Sequence, residues 1–272
     1  MKENDAKATL LAHCGAEMMS RDELQEIPLP ESTRTHKPIA HHRFVETLEE
    51  ALSMRSLAIT RDEYAVSKDG MKMFGVMDLD AEFTGCRFSI GLRNSNDKSM
   101  RLGLTAGLRV LVCDNMAFSG DFTPLSQKHS KSLELSDAIS IAVDRIHRSF
   151  EPLKANVNAM KQQKLLEPEA KLLIYEAFVE NRIRGIPMRL LNSVHKHFFE
   201  SEYSEFQDSN LWSLSNAFTS SFKGLRPMKQ FEITAKLGSF MNSLSSNNTG
   251  ASSSRAIPDF GFLIPKSAEA TA

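Results

Sequence analysis

Three cysteines in 272 residues, Cys14, Cys86 and Cys113, form no close pair. That excludes a disulfide framework and a Cys-x-x-Cys metal knuckle, and it suits a reducing compartment. No run of 18 apolar residues exists, so no membrane span is expected. The first residues, Met1 to Asp5, are polar and acidic, unlike a secretory signal. Charge of one sign is missing as well. Lys and Arg total 33 against 34 Asp and Glu, a net charge of −1, so any nucleic-acid contact has to come from a local patch. Aromatic residues able to stack on bases are present, among them Tyr64, Phe74, Tyr175, Tyr203 and Trp212, but they follow no pattern. No phosphate-binding loop, dinucleotide fingerprint or His-Glu-x-x-His helix is present. No cofactor, no metal and no catalytic residue is therefore assigned.

What is present is a chain that is 41% hydrophobic, long enough to bury a sizeable core. Residues 1–38 read as a weakly ordered leader, residues 39–244 as one α+β domain, and residues 245–272 as a flexible tail carrying a short apolar patch, Phe260–Ile264. That patch fits either a docking peptide or a segment folding back on its own domain. Apolar spacing predicts a helix over Arg43–Leu57. Ile59–Ser67 and Met71–Leu79 flank Lys68-Asp69-Gly70, a strong hairpin turn. Phe83–Phe118 reads as a second hairpin. The expectation is an antiparallel β-meander of about four strands within 59–118. From Leu133 the period changes to that of a helix. Ser136 is a candidate N-cap, and Ile139, Ala142, Val143, Ile146, Phe150, Leu153, Val157 and Met160 trace one stripe. This long helix is expected to back the sheet, with Pro152 as a possible kink. A helical C-terminal half follows, with helices at Glu167–Asn181, Pro187–Phe199, Asn210–Phe222 and Pro227–Leu244.

The second hairpin carries the functional signal. Side chains alternate faces along a strand. One face collects Phe88, Ile90, Leu92, Leu102, Leu104 and Leu108. The other collects Arg87, Arg93, Arg101 and Arg109 among Ser89, Gly91, Gly103, Thr105 and Gly107. A three-residue turn, Asn96–Lys98, would set Arg93 opposite Arg101, a like-charge pair that an anion between them would relieve. Guanidinium forks match phosphate oxygens, and the glycines let a backbone approach. With Asn94 and Lys98 at the turn, the candidate nucleic-acid-binding residues are Arg87, Arg93, Asn94, Lys98, Arg101 and Arg109. The competing reading is a helix covering this face, whose acids, for example in the helices after residue 166, neutralise the arginines.

Other constellations are weaker. Cys113 and His129 could pair as nucleophile and base, and Asp97, Asp114 and Asp121 lie near the hairpin end. His41-His42 and His195-x-His197 have poor spacing for one metal, and His13-Cys14 lies in the leader. Tyr64 and Phe74 are the aromatics nearest the sheet and read as core.

Three segments carry a resemblance: Tyr64–Val76, Gly91–Ser99 (Gly-Leu-Arg-Asn-Ser-Asn-Asp-Lys-Ser) and Gly107–Gly120 with its Val-Cys-x-Asn. They resemble the phage/plasmid-like protein family, a domain of unknown function, over roughly residues 39–200. His129 follows the family pattern. Asn96 departs from it, because the family carries His at that place in the turn. The resemblance implies a mobile-element setting and a bacterial cytoplasm, and it implies no activity. At the level of topology, a helix, a meander with a basic hairpin and a long helix across its back are similar to RecT-type single-strand annealing proteins. That similarity implies DNA binding, recombination and ring- or filament-forming homo-oligomers. The expected function is thus single-stranded DNA binding or annealing without chemistry of its own. The alternatives are a nucleic-acid- or nucleotide-processing enzyme, and a phage protein that binds and inhibits a host protein.

Overall fold

The computed structural model describes residues 16–83, 85–111, 115–118 and 124–246. In chain order the elements are β1 (Ala16–Met19), α1 (Arg21–Gln25), α2 (His41–Ser53), β2 (Ile59–Ser67), β3 (Lys72–Phe83), β4 (Cys86–Ser95), β5 (Leu102–Val110), β6 (Asn115–Phe118) and β7 (Leu125–Gln127). The helices α3 (Leu135–Gln162), α4 (Glu167–Phe178), α5 (Leu191–Phe199), α6 (Leu211–Phe222) and α7 (Pro227–Ser246) follow. The class is α+β with a helical C-terminal half, as expected. Among the described residues the sheet has seven strands rather than about four. Its order, β1-β2-β3-β4-β5-β6, follows the chain, and β7 pairs with β5 beside β6. Every pairing is antiparallel. The three strands not anticipated are three or four residues long, too short to show a period of two.

The first hairpin forms where Lys68-Asp69-Gly70 places it. Gly70 takes φ +69°, a conformation open to glycine, and its N–H donates to the Ser67 carbonyl at 2.7 Å. The second hairpin differs in register. Arg93 faces Gly103, Gly91 faces Thr105, Ser89 faces Gly107 and Arg87 faces Arg109. β4 ends at Ser95. Asn96 N–H still donates to the Met71 carbonyl at 2.8 Å, and the Asp97 carboxylate then accepts the Ser99 N–H at 3.0 Å. The connection therefore runs over residues 96–101, with Lys98 at φ +67°. A slip of two residues keeps each side chain on its face. The two faces were read correctly, and the rungs were not.

One face of the sheet carries Tyr64, Val66, Met73, Met77, Phe88, Ile90, Leu92, Leu104 and Leu108. These share one hydrophobic cluster with Phe44, Leu48 and Leu52 of α2 and with the stripe Ile139, Ala142, Val143, Ile146, Phe150, Val157 and Met160 of α3. Phe88 stacks on Phe150 with ring centroids 3.9 Å apart, which fixes α3 across the sheet. Each such buried side chain contributes about 1.5–3 kcal/mol. The cluster continues through Ile174, Val194, Phe218 and Leu237, so the C-terminal helices share the same core. The N-cap of α3 is Glu134, and Ser136 lies inside the helix. The N-cap of α6 is Asn210, whose side chain accepts the Ser213 N–H at 2.8 Å.

The leader reading also changes. Residues 16–38 belong to the fold. β1 pairs with β2, Ser20 and Glu23 form a capping box on α1, and Leu24 and His36 are buried. Residues 1–15 and residues 247–272, including the Phe260–Ile264 patch, lie outside the described residues.

Candidate nucleic-acid interface

The second face of the sheet is built in rungs. One runs Arg61, Asp78, Ser89, Gly107, and the next but one runs Ala65, Phe74, Arg93, Gly103, Ser126. Its small apolar cluster of Ala65, Val76, Ala16 and Phe74 draws on strand residues. The arginines on this face meet different fates.

Arg109 is buried, 2% exposed, and its Nε lies 2.7 Å from Oδ2 of Asp78, itself 0% exposed. The other oxygen of Asp78 accepts the Ser89 hydroxyl at 2.6 Å. Two charges removed from water are tolerated because each has a partner. Arg87 faces Glu82 across β3 and β4 and holds its carboxylate, with Thr60 Oγ1 at 3.4 Å. Both arginines are thereby withdrawn from the candidate interface. The neutralising acids come from β3, a third strand outside the two arms of the hairpin.

Asn94 is withdrawn too, for a different reason. Its side chain points to the helix face and is fully buried. Its Nδ2 donates to the Ile39 carbonyl at 2.7 Å and lies 2.9 Å from His41 Nδ1, while its Oδ1 lies 2.7 Å from His129 Nε2. His41 Nε2 is 2.9 Å from the Gly70 carbonyl, which can only accept. That end fixes the tautomers. His41 donates from Nε2 and accepts at Nδ1, and His129 donates from Nε2 to Asn94. Asn96 completes the clasp. Its Oδ1 accepts the Ile39 N–H at 3.0 Å and its Nδ2 donates to the Ile39 carbonyl at 3.1 Å. His36 Nε2 lies 3.2 Å from the Asn96 carbonyl, and its ring centroid is 5.4 Å from that of His129. Burial, reinforced by His36 and His41, pushes His129 down to about 4, and burial pushes His41 below its ordinary value. The motif Asn94-Ser-Asn96 and His129 therefore build a neutral structural clasp. It fastens residues 33–39 to the end of the sheet.

What remains is Arg93 on the second face, with Lys98 and Arg101 in the connection beyond its last rung. Arg93 is half-buried and stretches over Gly103; a Cβ there would sit 2.8 Å from its Nε. Burial, and then the charge of Arg101, push the Arg93 guanidinium below its ordinary value. Arg101 and Lys98 are exposed. Neither arginine has a carboxylate within ion-pair distance among the described residues. Asp97, the near acid, is engaged elsewhere. Burial acts to raise its pKa, but hydrogen bonds from Ser95 and Ser99 outweigh it, and Lys72 Nζ sits 3.0 Å from its Oδ2. The sequence reasoning missed Lys128. The strand β7 pairs Gln127 with Leu102, so exposed Lys128 stands one residue beyond the last rung, at the Arg101 end. A three-residue strand gave no signal by which to find it.

The other candidates do not assemble. His129 is committed to Asn94, and Cys113, Asp114 and Asp121 lie outside the described residues. No group of three His, Cys, Asp or Glu side chains suited to a metal ion occurs among the described residues. His195 packs on Phe199 at 4.6 Å, while His197 bonds Ser221 at 3.0 Å. Tyr64 is core, its hydroxyl donating to Asp62 at 2.7 Å. Phe74 is half-buried, beside Arg93 in register.

Fold and site together define an α+β protein in which a seven-stranded antiparallel meander, packed on one face by helices, ends in a small basic corner. No protein-family model, no curated protein and no solved structure matches the chain.

Proposed function

We propose that the chain binds single-stranded nucleic acid along its phosphate backbone at the corner formed by Arg93, Arg101, Lys98 and Lys128. The observation that carries this reading is the pair Arg93 and Arg101: Arg93 lies in the last rung of the second face, Arg101 directly precedes β5 at the same end, its charge bears on Arg93, and neither has a carboxylate within ion-pair distance among the described residues. Like charges held together cost stability until an anion lies against both, and a phosphodiester meets that need with paired oxygens. Glycine at 103 leaves the room in which Arg93 lies flat. The corner offers few contacts per chain, so we propose that copies of the chain associate to line up several corners along one strand. The topological similarity to RecT-type annealing proteins points the same way.

An electrophoretic shift with labelled single- and double-stranded DNA tests the reading. The expected result is a complex with the single strand that weakens steeply between about 50 and 200 mM salt. Strand cleavage or joining on adding divalent metal would favour the enzyme reading instead. Absence of a shift, together with a host protein retained after nuclease treatment, would favour the inhibitor reading.

A further inference from the structure

Arg21, Arg43, Arg55, Arg61, Arg87 and Arg109 each hold a carboxylate. Arg182 and Arg184 do not, among the described residues. They sit in a stretch, residues 181–199, with four Lys or Arg, two His and no Asp or Glu. A hydrogen-bonded turn carries them. Asn181 and Gly185 both take positive φ, 57° and 83°, and Asn181 Oδ1 accepts the Gly185 N–H at 3.3 Å. Ile183 (0% exposed) and Ile186 (8%) anchor the turn in the core, which leaves Arg182 and Arg184 outside.

Helix α7 brings two more cations to this turn. Lys236 Nζ donates to the Arg184 carbonyl at 2.8 Å, and Lys229 Nζ lies 3.1 Å from where a Cβ on Gly185 would stand. One acid, Glu232, serves both lysines, at 3.3 Å from Lys229 and 2.5 Å from Lys236. A single carboxylate cannot neutralise two ammonium groups, so positive charge is left over beside two unpaired guanidinium groups.

We infer that the Arg182–Gly185 turn with Lys229 is a second phosphate-backbone contact, on the helical half of the molecule. This inference rests on the nucleic-acid reading above. The contact is expected to be indifferent to base sequence, because nothing in it presents a donor and acceptor pattern to a base edge.

The test is fluorescence anisotropy of a labelled oligothymidylate with the full chain and three double variants. These are Arg182→Ala/Arg184→Ala, Arg182→Lys/Arg184→Lys, and Arg93→Ala/Arg101→Ala. Each lost single-strand phosphate contact lowers the salt slope by about 0.7. The alanine variant at the turn is expected to bind more weakly and to lose about 1.4 from the slope, while the lysine variant keeps the slope. Thermal melting checks that both stay folded, as exposed positions should. Unchanged affinity and slope in Arg182→Ala/Arg184→Ala, alongside a loss in Arg93→Ala/Arg101→Ala, overturns the second contact and leaves the corner standing. Binding unaffected in both alanine variants overturns both.

Discussion

Asp78 determines how much of the arginine face reaches the surface. It sits on β3, takes the Ser89 hydroxyl with one oxygen and Arg109 with the other, and is fully buried. Arg109→Ala would leave that carboxylate without its cation. The expected loss is about 3–5 kcal/mol of unfolding free energy, read from urea denaturation. Arg109→Ala combined with Asp78→Asn should cost less than Arg109→Ala alone. The histidine clasp makes a second residue-level prediction. His129 titrates near 6.5 in an unfolded chain and at about 4 in the folded one. Between these values the unfolded state takes up a proton that the native state refuses. Stability is thus fully present above about pH 6.5 and is lost as pH falls toward 4, by about 3 kcal/mol from this group. His41, also held below its ordinary value, acts in the same direction. Urea midpoints measured from neutral pH down to about pH 5 should fall steadily in the native chain. In His129→Gln the midpoint should start lower and fall less.

At the scale of elements, close packing between strands produces a sharp demand at Gly75. A Cβ there would meet Tyr64 Cδ1 at 2.7 Å and Leu92 Cδ1 at 2.8 Å, both in buried side chains. Gly75→Ala is expected to cost about 1–3 kcal/mol, visible as a lowered melting temperature, because neither neighbour has room to retreat. The same scale shows what the sequence made legible. The Asp69-Gly70 hairpin, the α3 stripe and the C-terminal helices were readable, because each is long enough to display its period or carries its own turn signal. β1, β6 and β7 were not, since three or four residues hold no period and are kept in place by partners far along the chain. The register of the second hairpin was also hidden. A three-residue turn fitted the letters, whereas the Asp97 carboxylate and the Asn96–Met71 bond set a longer connection.

For the whole molecule, the placement of the candidate arginines was legible only in part. Alternation along β4 and β5 placed Arg87, Arg93 and Arg109 on one face correctly. It could not show that β3 would bring Glu82 and Asp78 beneath two of them, because a strand's acids reach another strand only through tertiary register. The same blindness put Asn94 among the contacts when it belongs to the clasp. With a net charge of −1, a chain of this kind can grip a polyanion only where its acids have been drawn elsewhere. The Arg93–Arg101 corner is such a place: Asp97 is held by Lys72, Ser95 and Ser99. Among the described residues no helix is long and apolar enough to cross a membrane.

The central claim is that Arg93 and Arg101 form an anion-seeking corner. Its most direct measurement is the salt dependence of single-strand binding by the native chain and by Arg93→Ala/Arg101→Ala. The account predicts a steep fall in affinity with salt for the native chain. For the double variant it predicts weak binding, a slope smaller by about 1.4 and a melting temperature no lower than that of the native chain. Equal affinity and equal slope in the two proteins would contradict it.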